Sequence, residues 1–168
     1  MAAFVLRSLA GAFFLYLSSR LKLSAGGPVP VTGHIFCIAL LALLYDTKTC
    51  VFSVILYLAA GALGLDVFSS KDGLAGSGAG YLLSLPFGAA AMSIAAKKSR
   101  KTLFALIASL LPGLFVVYLC GAACLLIKNG PETALLWGIA PFVLWDFIKI
   151  AAACLLALGV WASGPEKE

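Results

Sequence analysis

Six runs of apolar residues, separated by short loops, decide what this chain can fold into; they cover residues 2–17, 32–45, 50–65, 80–96, 103–127 and 133–161. Mean hydropathy is +1.08, and only 11% of the 168 residues are charged. Soluble domains carry about 25% charged residues. A soluble domain of this size cannot bury so much apolar surface, so lipid must be the solvent for most of it. Spanning backbone has to satisfy its own hydrogen bonds, and the alternation of a barrel is absent, so the runs read as helices. The expectation is an all-α integral membrane protein with six transmembrane helices. Residues 1–168 then form one membrane-embedded domain, with no room for a separate soluble one.

The runs differ in ways that matter. The second is short against the roughly 20 residues a span needs, so it must tilt or be sheltered by neighbours. Pro112-Gly113 is expected to kink the fifth. The sixth is too long for one straight span; Pro141 divides it into a short helix and a spanning helix beginning near that proline. The N-terminus has the apolar core of a signal peptide, with small residues at 24–27. More spans follow it, so a retained first helix is the expectation. Ser8 and Ala12, with Gly11 beside them, make a small-residue face for another helix, from this chain or from a partner.

The net charge of +5 sits in loops and reads as membrane topology, with no nucleic-acid partner implied. The run Lys97-Lys98-Ser99-Arg100-Lys101 is the densest basic loop. Placing it in the cytoplasm puts both termini there too, and leaves residues 21–31, 66–79 and 128–132 outside. Arg20, Lys22, Lys71 and Lys128 weaken that bias. Proline stiffens the first outer loop at Pro28 and Pro30, while five glycines from Gly64 to Gly80, both ends counted, free the second. Such a pair of loops could act as lids, or simply connect helices.

The stretch WDFIKIAA carries the most informative residues. Asp146 and Lys149 lie three apart, hence on one helical face, in an apolar segment. A charge near the bilayer centre costs roughly 2.5–3.5 kcal/mol, so such residues are paired or face a cavity. Two readings stay open: a polar floor for a ligand, or an ion pair that clamps helices. His34 follows the proline loop and begins the second run, as a helix-start residue or as a pocket lining. The glycine-rich segment 76–80 lacks the preceding strand and following Lys-Ser/Thr of a phosphate loop. The Asp72-Gly73-Leu74-Ala75-Gly76 run lacks the arginine and further aspartates of a CDP-alcohol phosphotransferase. Cys37, Cys50, Cys120, Cys124 and Cys154 lie in or beside apolar runs without metal-ligand spacing, and read as packing residues. No cofactor is implied.

Four segments in order carry a family resemblance: VPVT at residues 29–32, Y-L-x-x-G-A-x-G-L-x-V-F at 57–68, G-x-x-G-x-G-x-G-Y-L at 73–82, and P-F-x-x-x-D-x-x-K at 141–149. Together they resemble BioY, the biotin-binding substrate component (S component) of energy-coupling-factor transporters, over about residues 29–155. The resemblance implies a six-helix bundle in the bacterial inner membrane, with a biotin pocket near the outer face and loops as lids. It maps the D-x-x-K pair onto Asp146 and Lys149, the aromatic closing the glycine loop onto Tyr81, and the loop phenylalanine onto Phe68. It also implies a transmembrane coupling subunit and two ATPases as partners; this chain carries no Walker motif. The chain departs from the family at His34 (usually glutamine), at Asp66 (usually proline) and at Ser77-Gly78-Ala79.

Biotin suits these residues. A carboxylate can accept from a ureido N–H and an ammonium can donate to the ureido carbonyl, and charge-assisted bonds are roughly twice as strong as neutral ones. Thr32 and His34 would sit at the mouth, with Phe68, Tyr81 and Trp145 as walls for the apolar body. An inverted pose, with Lys149 on the valerate carboxylate, is equally open at this level. So are capture of another vitamin and a small membrane enzyme or structural protein in which Asp146–Lys149 is only a clamp.

Overall fold

A computed structural model describes residues 1–23, 29–70 and 72–163. Pro28, Lys71 and the small-residue stretch 24–27 therefore lie outside the described residues. The helices are α1 (Ala2–Arg20), α2 (His34–Leu44), α3 (Thr47–Ala62), α4 (Ala79–Lys97), α5 (Leu103–Asn129) and a last helix, Pro131–Ala162. Between α1 and α2, Lys22–Leu23 pairs antiparallel with Val31–Thr32, Lys22 opposite Thr32. This small ribbon is a feature the all-helical expectation did not contain. The glycine loop between α3 and α4 holds one 3-10 turn, Gly73–Ala75.

α1, α4, α5 and the last helix are long and apolar enough to cross a membrane. With 11 residues, α2 is about 16 Å long, half of the hydrocarbon core. It survives by shelter: His34, Ile35, Cys37, Ile38, Ala39, Leu41 and Ala42 are all buried among neighbouring helices. The start of α3 lies at Thr47, three residues before the apolar run begins. Asp46 sets it there, accepting from the Thr49 amide at 2.9 Å and from the Thr49 hydroxyl at 2.6 Å. Those bonds hold the Asp46 carboxyl below its usual range.

α5 runs continuously through Pro112, from Leu103 to Asn129. It ends at Gly130, whose φ of 86° favours glycine. Gly113 serves packing. A Cβ built there would lie 2.4 Å from the Gly88 carbonyl oxygen and 2.3 Å from Met92 Cγ, so α4 and α5 touch backbone to backbone. The small face of α1 is likewise used inside the chain, with Gly11 against Ser53 of α3.

The last helix divides upstream of Pro141. Residues Ala134–Ile139 are wound as a π-helix, and the regular helix resumes at Ala140 with Pro141 in its first turn. Proline has no N–H to give the preceding turn, and a wider turn accommodates that loss. The core runs through the middle of the bundle, with Leu15, Ile38, Val54, Met92, Leu110 and Ile150 fully buried. Phe13, Phe87, Phe104, Phe115 and Leu155 face outward, as lipid-exposed side chains do.

Two variants test this account. Gly113→Val should separate α4 from α5 and lower the melting temperature in detergent, at an overpacking cost of about 1–3 kcal/mol. Asp46→Ala should cost about 1 kcal/mol as a lost N-cap. Because the folded carboxyl titrates below its unfolded value, the wild-type contribution is present at neutral pH. It is lost as the pH falls through the depressed pKa, so the gap between Asp46→Ala and wild type should close in acid.

Candidate functional site

The regular part of the last helix begins at Ala140, and its 3.6-residue period then aligns Phe142, Asp146 and Lys149 on one inward face. That face meets the N-terminus of α2, the N-terminal half of α4 and the middle of α5. Between them lies a cavity of about 690 Å³ of empty space, its mouth included. Asp146 and Lys149 lie with Tyr118 of α5 at its floor. Ile35, Leu85, Val117, Tyr81 and Phe142 form its walls, and Pro30, Ser69, Ser70, Gly73 and Gly78 approach from the two loops.

At the floor, the Lys149 ammonium donates to Oδ1 of Asp146 at 2.7 Å. The Tyr118 hydroxyl donates to Oδ2 at 2.9 Å. Asp146 is 2% exposed. An isolated carboxylate there would be costly, but one with two donors is compensated. Lys149 has three N–H donors and uses one on Asp146. The pair is therefore neutral overall and still able to bond a ligand.

On the α2 side, a chain of hydrogen bonds leads away from the cavity. Thr32 Oγ1 lies 2.5 Å from Nδ1 of His34, and Nε2 lies 2.8 Å from the Tyr57 hydroxyl. The Tyr57 hydroxyl also reaches the Val67 carbonyl at 3.2 Å. A carbonyl can only accept, so Tyr57 donates to it and accepts from Nε2–H; Nδ1 then accepts from Thr32. A neutral histidine thus ties a cavity-lining threonine to the backbone of the glycine loop. Ser19 of α1 donates to the same carbonyl at 2.7 Å.

Cations fasten that loop from outside. Arg20 holds Asp66 through its carbonyl and its carboxylate, and Lys22 reaches the Ser69 carbonyl at 3.3 Å. Lys128, at the end of α5, donates to the carbonyls of Ala75 and Gly76 at 2.8 and 2.9 Å.

Of the residues expected from sequence, Thr32, His34, Tyr81, Asp146 and Lys149 line the cavity. Tyr81 donates its hydroxyl to the Gly138 carbonyl in the π-wound turn at 2.7 Å and stacks on Phe142 with centroids 5.9 Å apart. Two of the expected residues do not line this cavity. Trp145 is one residue from Asp146 and so about 100° round the helix; it is 46% exposed and borders a neighbouring groove with Phe36, Thr32 and Lys149. Phe68 is buried edge-on against Tyr57, over Gly61, behind the cavity wall. Sequence reasoning missed Phe142 and Tyr118. Phe142 precedes Asp146 by four residues, a same-face spacing that could have revealed it. Tyr118 offered only a polar tip within an apolar run.

Tyr57→Phe tests the wiring of His34. It keeps the ring but leaves Nε2–H without its acceptor, so it should destabilise the protein by about 1–3 kcal/mol. Thermal melting in detergent checks this, and an unchanged midpoint would contradict it.

The BioY family model matches residues 2–166. A biotin transporter BioY from Thermotoga maritima is 34% identical over 137 residues, covering 79% of this chain and 80% of that protein. A probable biotin transporter BioY from Pyrococcus horikoshii is 31% identical over 135 residues, covering 78% of this chain and 80% of its own. The crystal structure of an S component for biotin from an ECF-type ABC transporter superposes with a TM-score of 0.85 at 22% identity, over 97% of this chain and 93% of that one. The fold is thus that of an S component, and the match across nearly all of its sequence makes this chain a member of the BioY family.

Proposed function

We propose that this protein captures biotin in the cavity above Asp146 and Lys149, as the substrate-binding subunit of an energy-coupling-factor transporter. The single observation that carries this reading is the pair of buried Asp146 and half-buried Lys149, 2.7 Å apart at the floor of a cavity whose walls are otherwise largely apolar. Family membership supports the ligand class, and the relatives are biotin transporters by name.

The ureido ring goes to the floor. One N–H donates to Asp146, and a spare Lys149 N–H donates to the ureido carbonyl. Each such charge-assisted bond contributes about 1.5–3 kcal/mol. The bicyclic body and valeryl chain lie against Ile35, Leu85, Val117, Tyr81 and Phe142. The valerate carboxylate points to the mouth, where Ser69 and Ser70 carry hydroxyl donors. This orientation is favoured over the inverted one because Lys149 is already neutralised by Asp146.

Capture begins at the outer face of the bacterial inner membrane, with both termini and the basic loop 97–101 in the cytoplasm. The proline and glycine loops close over the ligand. A transmembrane coupling subunit then drives inward release, with ATP hydrolysed by two separate ATPase subunits. The protein itself is a binding subunit with no reaction of its own.

Equilibrium binding of labelled biotin to purified protein in detergent tests the reading. Wild type should bind saturably, and Asp146→Asn should weaken binding at least ~100-fold, about 2.7 kcal/mol, while remaining folded. A folded wild type without saturable binding would sink the function; an undiminished Asp146→Asn would sink the site.

A further inference from the structure

We infer that Tyr118 is a positioning residue for ligand capture: its hydroxyl fixes the plane of the Asp146 carboxylate so that the remaining lone pairs face the cavity. The inference rests on the reading of Asp146 as the ligand acceptor and adds a residue outside the four sequence segments of the family resemblance. Lys149 holds Oδ1 from the same helix, one turn away. That contact alone leaves the carboxylate free to turn, because the terminal torsion of aspartate has broad, shallow wells. Tyr118 holds Oδ2 from a different helix, at 2.9 Å. Two donors on opposite oxygens, from two elements, set the plane.

The arrangement leaves little alternative use for the hydroxyl. Its one proton goes to Asp146, so Tyr118 has none to donate to a ligand carbonyl. From α5 only Val117 and Tyr118 line the cavity, so Tyr118 is the sole polar group which that helix contributes among the described residues. The second cavity tyrosine is used differently: Tyr81 donates to a backbone carbonyl of the last helix, away from the carboxylate. A carboxylate held in one plane presents fixed acceptors to a ring N–H, and the ordering is completed before the ligand arrives.

Two readouts separate positioning from a structural role. Biotin affinity should fall about tenfold in Tyr118→Phe. In ligand-free protein carrying ¹³C-labelled aspartate, the infrared carboxylate band that disappears in Asp146→Asn should shift in Tyr118→Phe. Tyr81→Phe serves as the comparison, and should leave that band in place even where affinity falls. If Tyr118→Phe does not fold, wild-type protein made with 3-fluorotyrosine keeps the ring and a stronger donor, and should shift the same band. Unchanged affinity in a folded Tyr118→Phe, or an unmoved Asp146 band under either change, overturns the inference. A wild type that binds no biotin overturns the functional reading instead, and leaves the band test standing.

Discussion

Everything else in this bundle follows from keeping one carboxylate and one ammonium inside a hydrocarbon-facing protein. Neither charge is stable there alone. Spacing them three apart on one helix neutralises them locally, without help from a second helix. It does not use up their hydrogen-bonding capacity. The carboxylate keeps lone pairs and the ammonium keeps N–H donors, and the surrounding helices leave a cavity beside them.

Several departures from regular structure create that space. The short α2 stops at the level of the cavity, so its N-terminus, with His34, becomes a wall instead of a continuing span. The π-wound turn before Ala140 breaks the register of the last helix, and Tyr81 of α4 anchors the freed backbone. α4 and α5 pack backbone to backbone at Gly88 and Gly113, at the middle of α4. Beside the cavity, the glycine loop is held by its own backbone carbonyls, which Arg20, Lys22, Lys128, Tyr57 and Ser19 occupy. The Arg20, Lys22 and Lys128 contacts are exposed, the kind that exchange readily with water, while the Tyr57 and Ser19 bonds are partly buried.

Much of this was legible in the sequence. Apolar run lengths gave the number of helices, because a span has a fixed minimum length. The i,i+3 spacing of Asp146 and Lys149 gave the ion pair. Boundaries set by hydrogen bonds were harder: α3 starts at Asp46-Thr47, a polar cap that an apolar criterion passes over. Side-chain direction was harder still. Trp145 and Phe68 have the chemistry of pocket walls, but helical phase turns one outward and the loop's path buries the other. Tyr118 becomes meaningful only once α5 packs beside the last helix, a contact 28 residues apart in sequence. The cations of the outer loops blurred the topology signal on paper; three of them turn out to fasten the glycine loop.

The central claim is that the buried pair reads the ureido ring and leaves the ligand carboxylate at the mouth. The most direct measurement compares the affinities of biotin and of its carboxyl amide for the purified protein. The amide removes the negative charge and leaves the ureido ring intact. It should bind within about tenfold of biotin, since it loses only contacts at the hydroxyl-lined mouth. A loss of a hundredfold or more would put the carboxylate on Lys149 and reverse the ligand in the cavity.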